Sequence, residues 1–269
     1  MLIKLMRHEF RATGRVMGPV FLLLLAAAVG ANVSLRVLFD LDHWLANLVG
    51  GLLMAAFVVA IIGVCMAAWI LMIYRFYKNL LQDEGYVMLT LPVSIHEHIW
   101  TKLIVSAVWF AATILAVGLA CLLAFGSIEG IVDFFQGFWD LMRESLHLKA
   151  SDMAHVMGIC VELLALCFIG SCASCLQFYG ALAIGHSAAS HKLAWSVAAY
   201  LVISFVMQLI SGILMFPLNH LDLDRYFSQL EGFGAIHLMM WIMIVVVAAY
   251  GAVFYVVTCW FMQNRLNLE

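Results

Sequence analysis

Charged residues are scarce in this sequence of 269 residues. They make up 11% of the chain, whereas hydrophobic residues make up 66%. An average globular domain is roughly half apolar and about a quarter charged. A soluble protein of this composition would expose apolar surface to water and aggregate. The composition excludes an ordinary soluble protein and predicts an integral membrane protein. The ten-residue alternation of an outer-membrane barrel is also absent, which leaves an all-α bundle.

Several catalytic signatures are missing as well. No lysine follows a glycine, which excludes the phosphate-binding loop GxxxxGK[ST] and ATP hydrolysis of that kind. His96-Glu97 begins a zincin-like motif, but Trp100 stands where the second histidine ligand is required, and no GxSxG motif supplies a serine nucleophile. These absences argue against an enzyme, a metal site or a cofactor in this chain.

Six apolar segments are long enough to cross a bilayer, which takes about 20 residues in a helix. They cover residues 17–38, 46–73, 102–126, 154–184, 193–216 and 236–262. No linker, low-complexity run or soluble domain interrupts them. The sequence therefore predicts a single transmembrane domain over residues 1–269.

The distribution of charge predicts the orientation of these spans. With the N-terminus inside, nine of the 13 Lys and Arg residues fall in inner segments, and ten of the 16 acids fall in outer loops. Both termini are therefore predicted to be cytoplasmic. The basic, amphipathic residues 1–16 predict a helix lying in the inner interface, next to lipid head groups. Two alternatives for this region are an unstructured basic flank and the start of a secretory signal peptide.

The seven cysteines all lie within predicted spans, where cysteine usually serves as a small apolar residue. Cys172 and Cys175 have the CxxC spacing of redox or metal sites. Because they stand in the small-residue run GSCASC, close helix packing is the favoured interpretation.

Glu162 is an acid well inside the fourth span, and an ionisable group there indicates function by default. His155 lies two turns earlier on the same face and is expected to pair with Glu162 through water. The alternative is a protonated or hydrogen-bonded glutamate that locks two helices together.

A polar segment, residues 75–101, separates the second and third spans. Tyr77, Leu80 and Leu81 predict that the second span descends into the cytoplasm and turns through a short helix, which ends at Gly85. Pro92 forbids helix, and Ser94 with Glu97 forms a capping box, S-x-x-E, before the third span. Such a hairpin suits docking of a soluble partner, whereas a mere connector needs only a few residues.

The residues FYKNLLQDEGYVMLTLPVSIHEHIWTKLI give this segment a resemblance to a family. They resemble membrane permease subunits of bacterial ABC exporters, in particular a group of about this length with a YKNLLGDEGYLMxTLPV-like segment. The likeness is dense over Tyr77–Val93, with Gln82 where glycine is expected. Beyond this segment it is architectural: six spans, an amphipathic lead and inside termini.

The resemblance implies a division of labour between chains. A separate ABC ATPase subunit would carry ATP and Mg²⁺, and a second permease copy or paralogue would complete the pathway in the bacterial cytoplasmic membrane; no nucleic acid is expected. The segment would be a coupling element seated in the ATPase. Its coupling residues would be Tyr77, Lys78, Asn79, Leu80, Leu81, Asp83, Glu84, Gly85 and Tyr86. The alternative function is a non-ABC scaffold or a proton-coupled secondary transporter that uses Glu162.

Overall fold

The computed structural model describes residues 2–41, 43–82, 85–86, 90, 93–126, 132, 136–137, 150–188, 190–218 and 233–265. Six helices account for nearly all of them, and no strand occurs among these residues. The helices are α1 (Leu2–Val33), α2 (Trp44–Leu81), α3 (Ile95–Phe125), α4 (Ala150–Gly185), α5 (Lys192–Leu218) and α6 (Gly234–Asn264). A π-helical turn, Ser34–Leu38, follows α1.

All six helices are long and apolar enough to cross a membrane. The predicted all-α architecture is therefore confirmed for the described residues, with six helices of the length and composition predicted for membrane spans. The apolar core of each helix coincides with a predicted span, because about 20 consecutive apolar residues suit helix in a bilayer and little else.

All six helices extend beyond the predicted spans, and α1, α2 and α3 do so by the largest margins. α1 runs without interruption from Leu2 through Pro19 to Val33, so the basic lead and the first span form one helix. Its placement in the interface stays a prediction. α2 continues through Leu81, and α3 begins at Ile95, seven residues before the predicted start of the third span at residue 102. Polarity marks where a helix is expected to leave the membrane and does not by itself end the helix.

The chain divides into two compact units. The N-terminal unit consists of Leu2–Met72 and Val105–Lys149, which include α1, most of α2 and most of α3. The C-terminal unit includes Ile73–Ile104 and Ala150–Glu269, and therefore the end of α2, the start of α3, and α4 to α6.

Small residues hold the core of the N-terminal unit together. Ala28, Ala31, Ala120 and Ala124 are buried in one apolar cluster with Phe57. Membrane helices gain little from hydrophobic exclusion, so close packing of small side chains is a main source of their association. The alanines of α1 and α3 supply it here.

A polar contact fixes the beginning of α1. Glu9, Thr13 and Met17 share one helix face and are buried. The indole N–H of Trp109 donates to the hydroxyl of Thr13 at 2.7 Å, and that hydroxyl donates to the carbonyl oxygen of Glu9 at 2.8 Å. The buried stripe of this lead therefore contains polar residues, whereas its apolar residues Met6 and Phe10 are only partly buried.

In the C-terminal unit, α4 packs against both α5 and α6. Gly251 of α6 lies so close to α4 that a Cβ there would be 3.3 Å from the Cβ of Ala173. Ala173 and Cys175 are buried within the run GSCASC. The small-residue packing predicted for this run is therefore confirmed.

Candidate functional site

The residues predicted to couple to a partner lie at the end of α2. Tyr77, Lys78, Asn79, Leu80 and Leu81 form its last turns, so they belong to the second span's own helix. The helical structure predicted for these residues is present, as a continuation of α2 and not as a short helix of its own. The apolar period continues without a break, because Phe76 and Leu80 are one turn apart and both buried.

The residues after α2 are described only in part. The N–H of Gly85 donates to the carbonyl oxygen of Gln82 at 2.7 Å, which makes a turn directly after the helix. Gly85 is buried, and Tyr86 is 50% exposed. Asp83 and Glu84 lie outside the described residues.

The predicted capping box at the start of α3 is confirmed. The N–H of Glu97 donates to the hydroxyl of Ser94 at 3.3 Å, and the N–H of Ser94 donates to the carboxylate of Glu97 at 3.3 Å. These reciprocal bonds satisfy two of the donors that every helix start leaves without an intrahelical partner. They also fix the start of α3 within the segment 75–101.

Aromatic contacts anchor the end of α2 to α4. The ring of Phe76 stacks on Tyr179 with centroids 3.8 Å apart and planes 6° apart. The ring of Tyr77 meets His186 edge-on at 5.4 Å. Leu80 and Leu81 are only 1% and 3% exposed. The leucines expected to contact a partner are therefore covered by this chain itself, and Tyr86 offers the exposed aromatic surface.

His186 lies in the turn between α4 and α5 and is buried. It donates its Nδ1–H to the carbonyl oxygen of Leu182 at 2.9 Å. Burial lowers the pKa of His186 below its ordinary value of 6.5, the bond to Leu182 partly offsets this, and the charge of Lys192 lowers the pKa further. The neutral imidazole is thus the favoured form against Tyr77.

Glu162 takes part in a second polar site, formed by α4 and α6. His237 of α6 donates its Nδ1–H to the Glu162 carboxylate, 2.9 Å from Oε1 and 3.0 Å from Oε2. Nε2 of His237 lies 3.2 Å from Nδ1 of His155, whose ring stacks on Phe233. The three titratable residues form a continuous chain, the acid–histidine array (His155, His237 and Glu162).

The ring of His237 stands between His155 and Glu162, so the contact that the structure shows is made through this ring, and pairing through water stays a prediction. Sequence reasoning missed His237 because it is 75 residues from Glu162. A signal was present: His237 is the one titratable residue near the start of the predicted sixth span, which covers residues 236–262. A second ionisable group inside a span is the expected partner of the first.

Glycine makes room for the array. A Cβ at Gly158 would lie 3.1 Å from Cε1 of His237, closer than most real contacts. The side chain of Glu162 is 12% exposed and that of His237 is 23% exposed. The pair is therefore largely removed from solvent, where a charge-assisted hydrogen bond is stronger than it is in water.

A third polar contact joins α3 to α6. Nδ1 of His96 lies 2.6 Å from the hydroxyl of Tyr255 and 3.6 Å from Sγ of Cys259. Tyr255 and Trp100 also line an apolar cavity of about 280 Å³, together with Ala173 and Gly251. No cluster of three His, Cys, Asp or Glu side chains suited to a metal ion occurs in the part of the chain that the structure describes.

No protein-family model matches the chain, and no curated protein or solved structure is significantly similar to it.

Proposed function

We propose that the chain is the membrane-spanning permease subunit of an ABC exporter, coupled to a separate ATPase chain through residues 75–101. The anchoring of α2 to α4 through Phe76 and Tyr179 is the observation that carries this proposal. The likeness of Tyr77–Val93 to such permeases supports it, and so does the lack of a phosphate-binding loop.

The packing provides a route for mechanical coupling. A partner that pushes on the exposed Tyr86 would displace Gly85 and the end of α2, which are buried in the C-terminal unit. Phe76 and Tyr77 would pass that displacement to Tyr179 and His186 on either side of the end of α4. Closely packed side chains transmit such shifts because interiors compress little.

The roles of the segment's residues divide by exposure. Gln82 and Tyr86 are exposed and would contact the ATPase, together with the charges of Asp83 and Glu84. Leu80 and Leu81 would hold the segment to its own bundle. ATP and Mg²⁺ would bind the partner, a second permease copy or paralogue would complete the pathway, and the assembly would reside in the bacterial cytoplasmic membrane with no nucleic acid.

Co-purification tests the proposal directly. We expect the native chain, extracted in mild detergent, to retain an ATPase subunit whose hydrolysis depends on the permease. Deleting Asp83–Gly85 should uncouple hydrolysis from transport while the chain still inserts. Tyr86→Ala should weaken ATPase binding, whereas the matched exposed change Tyr74→Ala should not. Isolation of a stable chain without any ATPase, or normal coupling after the deletion, would contradict the proposal.

A second candidate is a proton-coupled secondary transporter, and the bond between Glu162 and His237 favours it. Acids paired inside membranes commonly serve proton-linked transport. Glu162→Gln removes the charge with little change in size, so it should abolish proton-dependent flux and leave insertion intact. Unchanged flux in that variant rules out the second candidate and leaves a structural role for Glu162.

A further inference from the structure

We propose that the acid–histidine array is a proton-loading site, in which His155 takes a proton from water and His237 relays it to Glu162. Proton loading at this array requires no ATPase, so a test of the array and a test of the proposed exporter function can fail separately. Its basis is that His237 has both ring nitrogens within hydrogen-bond distance of a titratable neighbour.

The hydrogen-bond directions follow from the chemistry of imidazole. A carboxylate only accepts, so Nδ1 of His237 carries a hydrogen. In neutral His237 the other nitrogen, Nε2, then carries a lone pair and accepts from Nδ1–H of His155. The resting array is therefore fully hydrogen-bonded and carries one negative charge, on Glu162.

Loading moves one proton through three transfers. A proton from water bonds to Nε2 of His155 as its Nδ1–H passes to Nε2 of His237. The Nδ1–H of His237 passes in turn to Glu162, which becomes a carboxylic acid. Both imidazoles end neutral with their hydrogens on Nε2, and the reverse sequence returns the proton to the same side.

The exposure of the three residues indicates the direction in which a proton would enter the array, from His155 towards Glu162. His155 is exposed, His237 is partly exposed, and Glu162 is the least exposed of the three. A static lock between α4 and α6 would require only Glu162 and His237. The third residue continues the chain of hydrogen bonds from the pair to an exposed ring, at the end of α4 that the charge distribution assigns to the outer face.

Few other titratable groups belong to the same region. On the first half of α4 the described titratable side chains besides the array are Cys160 and Cys167, both exposed. The first two turns of α6 contribute His237 alone. α5 also packs on α4, and its residues 201–213 carry no titratable side chain. Asp152 also belongs to this half of α4, but its side chain lies outside the described residues. Among the described groups Glu162 is the only carboxylate, so its protonation would weaken the charge-assisted bond between α4 and α6.

Time-resolved infrared spectroscopy of the full chain in lipid nanodiscs tests the relay. After a rapid drop from about pH 8 to about pH 4, near the ordinary pKa of a glutamic acid, the C=O stretches of protonated acids should include a band from Glu162. Glu162→Gln should remove this band. His155→Gln should slow its appearance, and so should His237→Asn, which keeps a donor for Glu162 but has no second nitrogen to receive a proton.

We expect slowing of roughly 100-fold, the lower end of what a positioned proton donor contributes. His43→Gln is the matched control, because His43 is an exposed histidine of the N-terminal unit, and its band should form at the native rate. A band that survives Glu162→Gln, no band at all, or a native rate in His155→Gln would overturn the relay. If His237→Asn fails to fold, the rate measured for His155→Gln, a change at an exposed residue, tests the relay on its own.

Discussion

At the scale of single residues, Asn32 closes the end of α3. Its side-chain amide donates to the carbonyl oxygens of Leu123 at 2.8 Å, Ala124 at 3.2 Å and Gly126 at 3.3 Å. The last carbonyls of a helix have no intrahelical donors. We predict that Asn32→Ala lowers the free energy of unfolding by about 1–3 kcal/mol, the cost of leaving such groups without a partner. Denaturant unfolding in detergent measures it.

Two further variants make this prediction specific. Asn47→Ala, an exposed change on α2, should have little effect and serves as the control. Asn32→Asp should destabilise at least as much as alanine, because a carboxylate would face the negative end of a helix dipole. Full stability of the aspartate variant would show that the amide does not act as a cap.

His186 predicts a pH dependence of stability. Because burial sets its folded pKa below the unfolded value, the unfolded state binds more protons as pH falls below about 6.5. Stability is therefore full above that pH and falls with acidification until the folded pKa is passed. His186→Asn keeps a donor for Leu182 but does not titrate, so it should lose less stability between about pH 7.5 and pH 5.

The neighbouring His191 supplies the control for this measurement. It is exposed and has a left-handed backbone with φ of 51°, which asparagine tolerates. His191→Asn should keep the native acid sensitivity if the buried His186 is its source. Equal slopes for His186→Asn and the native chain would refute the prediction.

At the scale of helices, two glycines of α4 predict opposite outcomes. A Cβ at Gly185 would lie 2.3 Å from the backbone N of Ser196 and 2.5 Å from its Cα, so the start of α5 would have to move. A Cβ at Gly170 would meet nothing within 4 Å. Gly185→Ala should cost about 1–3 kcal/mol or more through overpacking. Gly170→Ala should be neutral or stabilise by about 1 kcal/mol through helix propensity.

Thermal unfolding of the two alanine variants, compared with the native chain, checks this pair. Because both changes add one methyl group to the same helix, any difference between them reflects the approach of α5. Equal melting temperatures would mean that α4 and α5 separate at this point in solution.

Local signals in the sequence predicted more of this fold than long-range ones. The capping box was predictable because Ser94 and Glu97 are three residues apart and act within one turn. The continuation of α2 to Leu81 was not, because charges such as Arg75 and Lys78 indicated that the second span leaves the membrane at residue 73. A helix tolerates such charges on one face while Phe76 and Leu80 stay buried on another.

In the candidate sites too, local features were predictable from the sequence and contacts between distant segments were not. Glu162 was identifiable because a lone acid in an apolar run is expensive. Its partner was not, since which helix faces α4 depends on packing between α4 and α6 that a single sequence does not encode locally. The aromatic stack of Phe76 on Tyr179 was hidden for the same reason.

At the scale of the whole molecule, tryptophans and charges together predict an orientation in the membrane. Trp44, Trp100, Trp195, Trp241 and Trp260 are all exposed, although tryptophan is mostly buried in soluble proteins. Exposed tryptophans near the ends of spanning helices suit the membrane–water interface. The excess of Lys and Arg in the segments at the N-terminus and after α2 predicts that those segments are cytoplasmic.

This orientation predicts which turns a membrane-impermeant thiol reagent reaches. In a chain whose seven cysteines are replaced, Asp40→Cys lies after α1 and Ser187→Cys lies after α4, both at exposed positions. The reagent should label Asp40→Cys in intact cells and Ser187→Cys only after the membrane is permeabilised. Labelling of both after denaturation controls for reactivity. The reverse pattern would invert the bundle, placing the end of α2 outside and removing it from any cytoplasmic ATPase.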